Sequence, residues 1–239
     1  MILAILQARM SSTRLPGKVL MPLAGAPMIV RQIERVARAR RIDKLVVATS
    51  EDVGDNALAA VVRREGVGVF RGALDDVQAR FIGALDAFGP ADHVVRLTAD
   101  CPLADPRVID ETIDRVVKSG ADYGSNTPAE RTYPKGLDVE VMTAAALRSA
   151  ALRATTPQER EHVTWTLHRR PDAYRQAFHS QGPDEGDVRW TVDFPHDYAF
   201  VAAVYDALYP INRAFTSDDV REFLRNREDL ANYGGERRV

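Results

Sequence analysis

The sequence predicts an α/β fold in which a mostly parallel sheet is flanked by helices. Three observations lead there. Residues 2–7, ILAILQ, form an apolar run of strand length at the start of the chain. From there to about residue 120, short β-branched runs alternate with segments whose apolar residues recur at helical spacing. The first strand also ends in a loop dense in cations and hydroxyls, and ligands of open α/β sheets gather at that carboxyl edge.

The elements follow in order. Residues 28–39 carry apolar positions at helical spacing, and 44–49 (KLVVAT) is a β-branched strand. Residues 55–65 read as helix, 67–70 as strand, 76–88 as helix and 93–97 (HVVRL) as strand. A helix then spans about 106–118, with Asp105 placed to cap it and Pro106 at its first position. Strand, helix, strand in this rhythm implies βαβ units, a Rossmann-like sheet. Beyond residue 120 the pattern loosens. Residues 139–142 and 188–192 look like strands, and helices fall near 143–152, 159–169, 195–208 and 217–225. No linker or internal repeat divides the chain, so 1–239 is expected to be one domain.

Composition narrows the function. A length of 239 residues can bury a sizeable core. The net charge is −2 with no basic stripe, which argues against a nucleic-acid partner. The single cysteine excludes an internal disulfide and fits a reducing compartment, so a cytoplasmic location is expected. The N-terminal apolar run meets Arg9 too soon for a signal segment or membrane span, and no membrane association is expected.

The loop Ala8-Arg9-Met10-Ser11-Ser12-Thr13-Arg14-Leu15-Pro16-Gly17-Lys18 holds three cations, three hydroxyls and a Pro-Gly bend. Like charges at this density repel, so an anion between them is the functional reading and a solvated basic turn is the alternative. The phosphate-binding P-loop pattern fails, because Ser12 and Val19 stand where it needs Gly and Ser or Thr. No G-x-G-x-x-G follows the strand either. What remains is a triphosphate clamp that uses side chains as well as backbone.

That loop, with Gly25-Ala26-Pro27-Met28-Ile29 after it, resembles the signature of the cytidylyltransferases that make CMP-activated sugars. The likeness is to spore-coat polysaccharide F-type proteins and to CMP-KDO and CMP-acylneuraminate synthetases. It implies the nucleotide-diphospho-sugar transferase type of sheet, with residues of about 1–120 forming the nucleotide-binding part. Residues of about 121–190 would form a smaller lobe for acceptor and dimerisation, and 191–239 would carry a metal Asp and C-terminal helices. It implies CTP and a sugar acid as substrates, Mg²⁺ as cofactor, pyrophosphate as product and a homodimer. Arg9 and Lys18 would hold the triphosphate, with Ala8, Ser11, Ser12 and Arg14 beside them.

Further residues take roles from the same resemblance. Asp100, ending the HVVRL strand, would be a metal ligand, and together with Arg9 and Lys18 it forms the expected catalytic set. Its alternative is a cap on the next helix. Asp193, in Trp190-Thr191-Val192-Asp193-Phe194-Pro195, would be the second metal carboxylate, or else the cap of the Pro195 helix. Asp197, one turn on, reads as a dipole partner in that helix. Thr98 stands where the synthetases carry a base-reading Gln, and Arg71 is a nucleoside-site candidate. Lys135, Asp138 and Glu140 are acceptor candidates. Alternation with Leu137, Val139 and Val141 puts both carboxylates on one strand face, about 7 Å apart, which a solvated face explains equally. His162 is either an acceptor contact or a structural histidine. Asp75 and Asp76 read as helix caps, Cys101 as a space-filler, and Trp165 and Trp190 as core residues. A nucleotide-sugar glycosyltransferase is a rival, but Asp100-Cys101-Pro102 lacks its D-x-D pair. A non-catalytic nucleotide-binding homologue is another.

Overall fold

The apolar run that opens the chain becomes an interior strand, third in order, of a seven-stranded sheet. In the computed structural model, which describes residues 1–239, β1 spans Ile2–Gln7. The loop of cations follows, then a two-stranded ladder of β2 (Pro22–Leu23) and β3 (Ala26–Pro27). Next come α1 (Met28–Val36), β4 (Lys44–Ser50), α2 (Asn56–Arg64), β5 (Gly68–Gly72), α3 (Val77–Phe88) and β6 (His93–Thr98). The second half supplies α4 (Pro106–Ser119), β7 (Tyr123–Ser125), β8 (Glu140–Thr143), α5 (Ala144–Arg153), α6 (Pro157–Glu161), α7 (Trp165–Arg169) and β9 (Gln176–Phe178). Three helices close the chain: α8 (Pro195–Leu208), α9 (Ser217–Arg225) and α10 (Glu228–Ala231).

The strand order is β5-β4-β1-β6-β8-β7-β9. β1 pairs in parallel with both β4 and β6, β4 with β5, and β7 with β9, whereas β8 runs antiparallel to β6 and β7. The chain builds outward from β1 through β4 to β5, then crosses back to lay β6 on the other side of β1. The order therefore reverses between β1 and β6, and in such sheets a crevice opens outside the carboxyl ends at that point. β7, β8 and β9 extend this same sheet.

Alternation along β1 divides the core. Ala4, Leu6 and Ala8 face a large apolar cluster with α1, α2, α4, α8 and α9, while Leu3 and Ile5 face a second cluster under α3, α5 and α7. The caps fall where side chains can supply them. Asp105 Oδ1 accepts from the Arg107 N–H and Asp76 Oδ1 from that of Ala79. No helix is long and apolar enough to cross a membrane.

Three expectations need correction. Residues 188–192 are not a strand. They make one parallel bridge, Lys135 with Arg189, and the N–H groups of Val188, Arg189 and Val192 donate to Glu185, Arg237 and Asp100, so no ladder propagates. The helix expected over 159–169 is two short helices, α6 and α7. His162 at the break leaves helical geometry, and buried Val163 instead gives its carbonyl to Gln78 Nε2 (3.3 Å). Trp165 is only half-buried, stacked on His162 with ring centroids 5.8 Å apart, whereas Trp190 is in the core as expected.

Candidate active site

The crevice at the strand reversal is a cleft of about 280 Å³. Gln7 at the end of β1 and Thr98 at the end of β6, paired in register, form its floor. Ala8, Arg9, Ser12, Arg14 and Lys18 enter from the loop after β1. Ser11 lies exposed outside the lining. The loop is held from behind by Asp55, which is buried and accepts from the Met10 N–H (2.7 Å), Thr49 Oγ1 (2.8 Å) and the Ser50 N–H (3.0 Å). The Ser50 hydroxyl donates to the same carboxylate; burial alone would raise the Asp55 carboxyl, but these four donors, led by that hydroxyl, hold it below its ordinary value. Gly17 sits at φ 73°, a left-handed turn that aims Lys18 inward.

Lys18 is buried, and its ammonium is the centre of the site. Nζ donates to the Val192 carbonyl (2.6 Å) and to Asp193 Oδ1 (3.1 Å), and lies 3.7 Å from Asp100 Oδ2. Arg14 reaches Asp193 Oδ1 from the loop side at 2.8 Å, and Arg189 reaches Oδ2 at 3.0 Å. The segments bearing the two carboxylates are tied together through backbone. The Val192 N–H (2.7 Å) and the Thr191 hydroxyl (3.1 Å) both donate to the Asp100 carbonyl oxygen. Neither carboxylate caps a helix. Asp105 caps α4, and Asp197 accepts the Asp193 and Phe194 N–H groups at the start of α8.

Residues 3–204 match the family model described as "Cytidylyltransferase". The chain belongs to the cytidylyltransferase family. It is 36% identical over 212 residues to the spore coat polysaccharide biosynthesis protein SpsF of Bacillus subtilis (strain 168), covering 85% of this chain and 86% of that one. It is 38% identical over 122 residues, about half of each chain, to a 3-deoxy-manno-octulosonate cytidylyltransferase of Geobacter sulfurreducens. Among solved structures, a cytidylyltransferase from Leptospira borgpetersenii superposes with a TM-score of 0.90 at 27% identity, covering 96% of this chain and 95% of that one.

On this cytidylyltransferase frame the other predicted residues scatter. Arg71 does not reach the cleft. Its three nitrogens donate to Ser50 O, Asn56 Oδ1 and Asp52 O and pin the loop after β4. Leu137, Val139 and Val141 are buried as their alternation requires, but only Glu140 of the two carboxylates lies in a strand. Asp138 is held by both terminal nitrogens of Arg131 (2.7 and 2.8 Å), and Glu140 by Arg96 and by the Tyr123 hydroxyl (2.7 Å). Lys135, Glu140 and His162 line a second cavity of about 520 Å³ beside the cleft. Cys101 is buried next to Asp100, and burial pushes its thiol well up, away from nucleophilic use.

Sequence reasoning missed Gln7, Arg96, Arg131 and Arg189. A signal existed for Arg96: an arginine inside the β-branched run of a central parallel strand is costly unless it faces a polar cleft.

The donor set suits a hard divalent ion. Asp100 and Asp193 offer carboxylate oxygens about one ammonium, the oxygen donors that a hard cation such as Mg²⁺ takes together with substrate phosphates.

Proposed function

We propose that the protein transfers CMP from CTP to an acidic sugar and releases pyrophosphate. What carries this reading is the convergence of Lys18, Arg14, Asp100 and Asp193 at the carboxyl edge between β1 and β6. Family membership and the sugar-acid substrate in the name of the Geobacter relative support it. In the reaction the acceptor oxygen bonds to the α-phosphorus as the bond to the bridging oxygen breaks. The electron pair leaves with pyrophosphate, and the acceptor's hydroxyl proton passes to water. No covalent enzyme intermediate is required, so positioning and charge stabilisation carry the catalysis.

Lys18 sits between the two carboxylates and can follow negative charge onto the leaving pyrophosphate. Arg9 and Arg14 are more mobile donors for the outer phosphates. Asp100 and Asp193 would hold Mg²⁺, which supplies charge neutralisation at the phosphoryl oxygens. Asp55 and Arg71 act indirectly, holding the loops at the ends of β1 and β4.

The test is pyrophosphate release from the purified protein with Mg²⁺, each of the four NTPs in turn and a panel of sugar acids including 3-deoxy-manno-octulosonate. Release with CTP, dependent on one acceptor, is the expected result. Release with a different NTP overturns the base assignment, and failure to bind CTP overturns the reading as a whole.

A further inference from the structure

Two cavities meet at a single cation that no motif singled out. Arg96 lies in β6 beside the strand reversal, on the same sheet face as Gln7 and Thr98, and it pairs in register with Glu140 of β8. It and His162 are the two residues that line both the cleft and the second cavity. His162 is exposed on an irregular turn, whereas Arg96 is fixed in the sheet.

Its guanidinium is also oriented. Nη1 pairs with the Glu140 carboxylate, whose other oxygen accepts from Tyr123 Oη (2.7 Å), and Nη2 donates to Gln7 Oε1 (3.3 Å). Nε is buried without a partner, and 18% of the side chain remains exposed to the cavities. Glu140 thus compensates the charge of Arg96 without covering it. The part of its side chain left open lies where the two cavities meet.

We propose that Arg96 is a further catalytic residue, contacting an oxygen of the phosphoryl group in transfer where nucleotide and acceptor meet. The inference rests on the nucleotidyl-transfer reading above. If the nucleotide fills the cleft and the acceptor the second cavity, bond formation takes place at their junction, and Arg96 is the strand-borne cation there. A guanidinium held in place before charge develops contributes most at the transition state, so its loss falls on kcat. The acceptor's own anionic group has other cations in the second cavity, Arg131 and Lys135.

The experiment compares Arg96→Lys and the charge-neutral pair Arg96→Gln/Glu140→Gln with wild type. The pair guards against misfolding from an orphaned Glu140. Melting temperature, the CTP-induced melting shift, kcat and KM for CTP and 3-deoxy-manno-octulosonate are measured on each. The expected result is a CTP-induced shift and KM for CTP like wild type, with kcat down about 10-fold or more in Arg96→Lys and about 100-fold or more in the pair. A wild-type kcat in Arg96→Lys overturns the proposal. So does a loss confined to the acceptor KM, which makes Arg96 an acceptor-binding residue, and so does a loss of kcat that tracks melting temperature, which makes it structural. Silence of the wild-type chain overturns the nucleotidyl-transfer reading and this inference together. Normal turnover by the variants of an active chain overturns this inference alone.

Discussion

Asp100→Asn is expected to lower turnover by at least about 10³-fold while leaving the protein folded and able to bind nucleotide. The separation of effects follows from how Asp100 is used. Its structural work is done by its backbone carbonyl, which receives the Val192 N–H and the Thr191 hydroxyl, and an asparagine keeps both bonds. Its side chain is 30% exposed in the cleft, approaches Lys18 at a long 3.7 Å, and accepts from the Cys101 thiol (3.4 Å) through Oδ1, an oxygen that asparagine retains. Replacing a carboxylate oxygen by an amide therefore removes negative charge from the site without unpairing a buried group. The measurement is pyrophosphate release set beside a thermal melt with and without CTP. A variant that retains wild-type turnover removes Asp100 from the metal and charge machinery.

Asp197→Ala is expected to destabilise the fold by about 3–5 kcal/mol, a fall in melting temperature of roughly 6–20 °C. Asp197 is fully buried and accepts from Arg189 Nε (3.0 Å), Arg189 Nη2 (2.8 Å), Arg238 Nη2 (2.9 Å) and the Asp193 and Phe194 N–H groups. Removing it leaves Arg238, also fully buried, with an uncompensated charge. Turnover suffers as well, because Arg189 then loses the anchor that sets it against Asp193.

The same cluster predicts acid sensitivity. Burial works to raise the Asp197 carboxyl, yet its hydrogen bonds, first that from Arg189, hold it well below the ordinary carboxylate value of 3.8. The unfolded chain therefore takes up a proton there before the folded one does. The stabilisation is complete above about pH 5 and is lost as pH falls through the unfolded value toward the folded one. Asp197→Asn should accordingly flatten the decline in stability between about pH 5 and pH 3, as followed by urea unfolding at each pH. An unchanged slope would remove Asp197 from the acid response.

The first half of the fold was legible because parallel strands buried on both faces read as continuous apolar runs. β1 matches its predicted limits, and β4 and β6 extend only one residue past theirs. Lys18, Asp100 and Asp193 were legible for a related reason: each follows or ends an apolar strand-like segment next to a proline or glycine, and each lies in the cleft. Partners made by distant chain segments left no local pattern. Asp55 reaches Met10 across 45 residues and Arg238 reaches Asp197 across 41, so neither could be read from neighbours in sequence. Arg71 failed for the opposite reason. A strand-end arginine suits a ligand and a loop tie equally well, and here the carbonyls of Ser50 and Asp52 are nearer. The break between α6 and α7 arises because Val163 and Thr164 are drawn into the interior, which overrides a helical spacing that carries on through them.

The position of Asp193 between Lys18, Arg14 and Arg189 has a consequence for the order of events at the cleft. In the free protein the cations that suit a polyphosphate already have a counter-ion in their own carboxylate. A nucleotide entering under the proposed reading trades places with that counter-ion and leaves the carboxylate oxygens open to a divalent ion. Each arrival vacates the other's ligands. Nucleotide and ion should therefore bind with positive linkage, each tightening the other's grip by the same factor, and a site that neutralises itself in this way exerts little pull on stray polyanions.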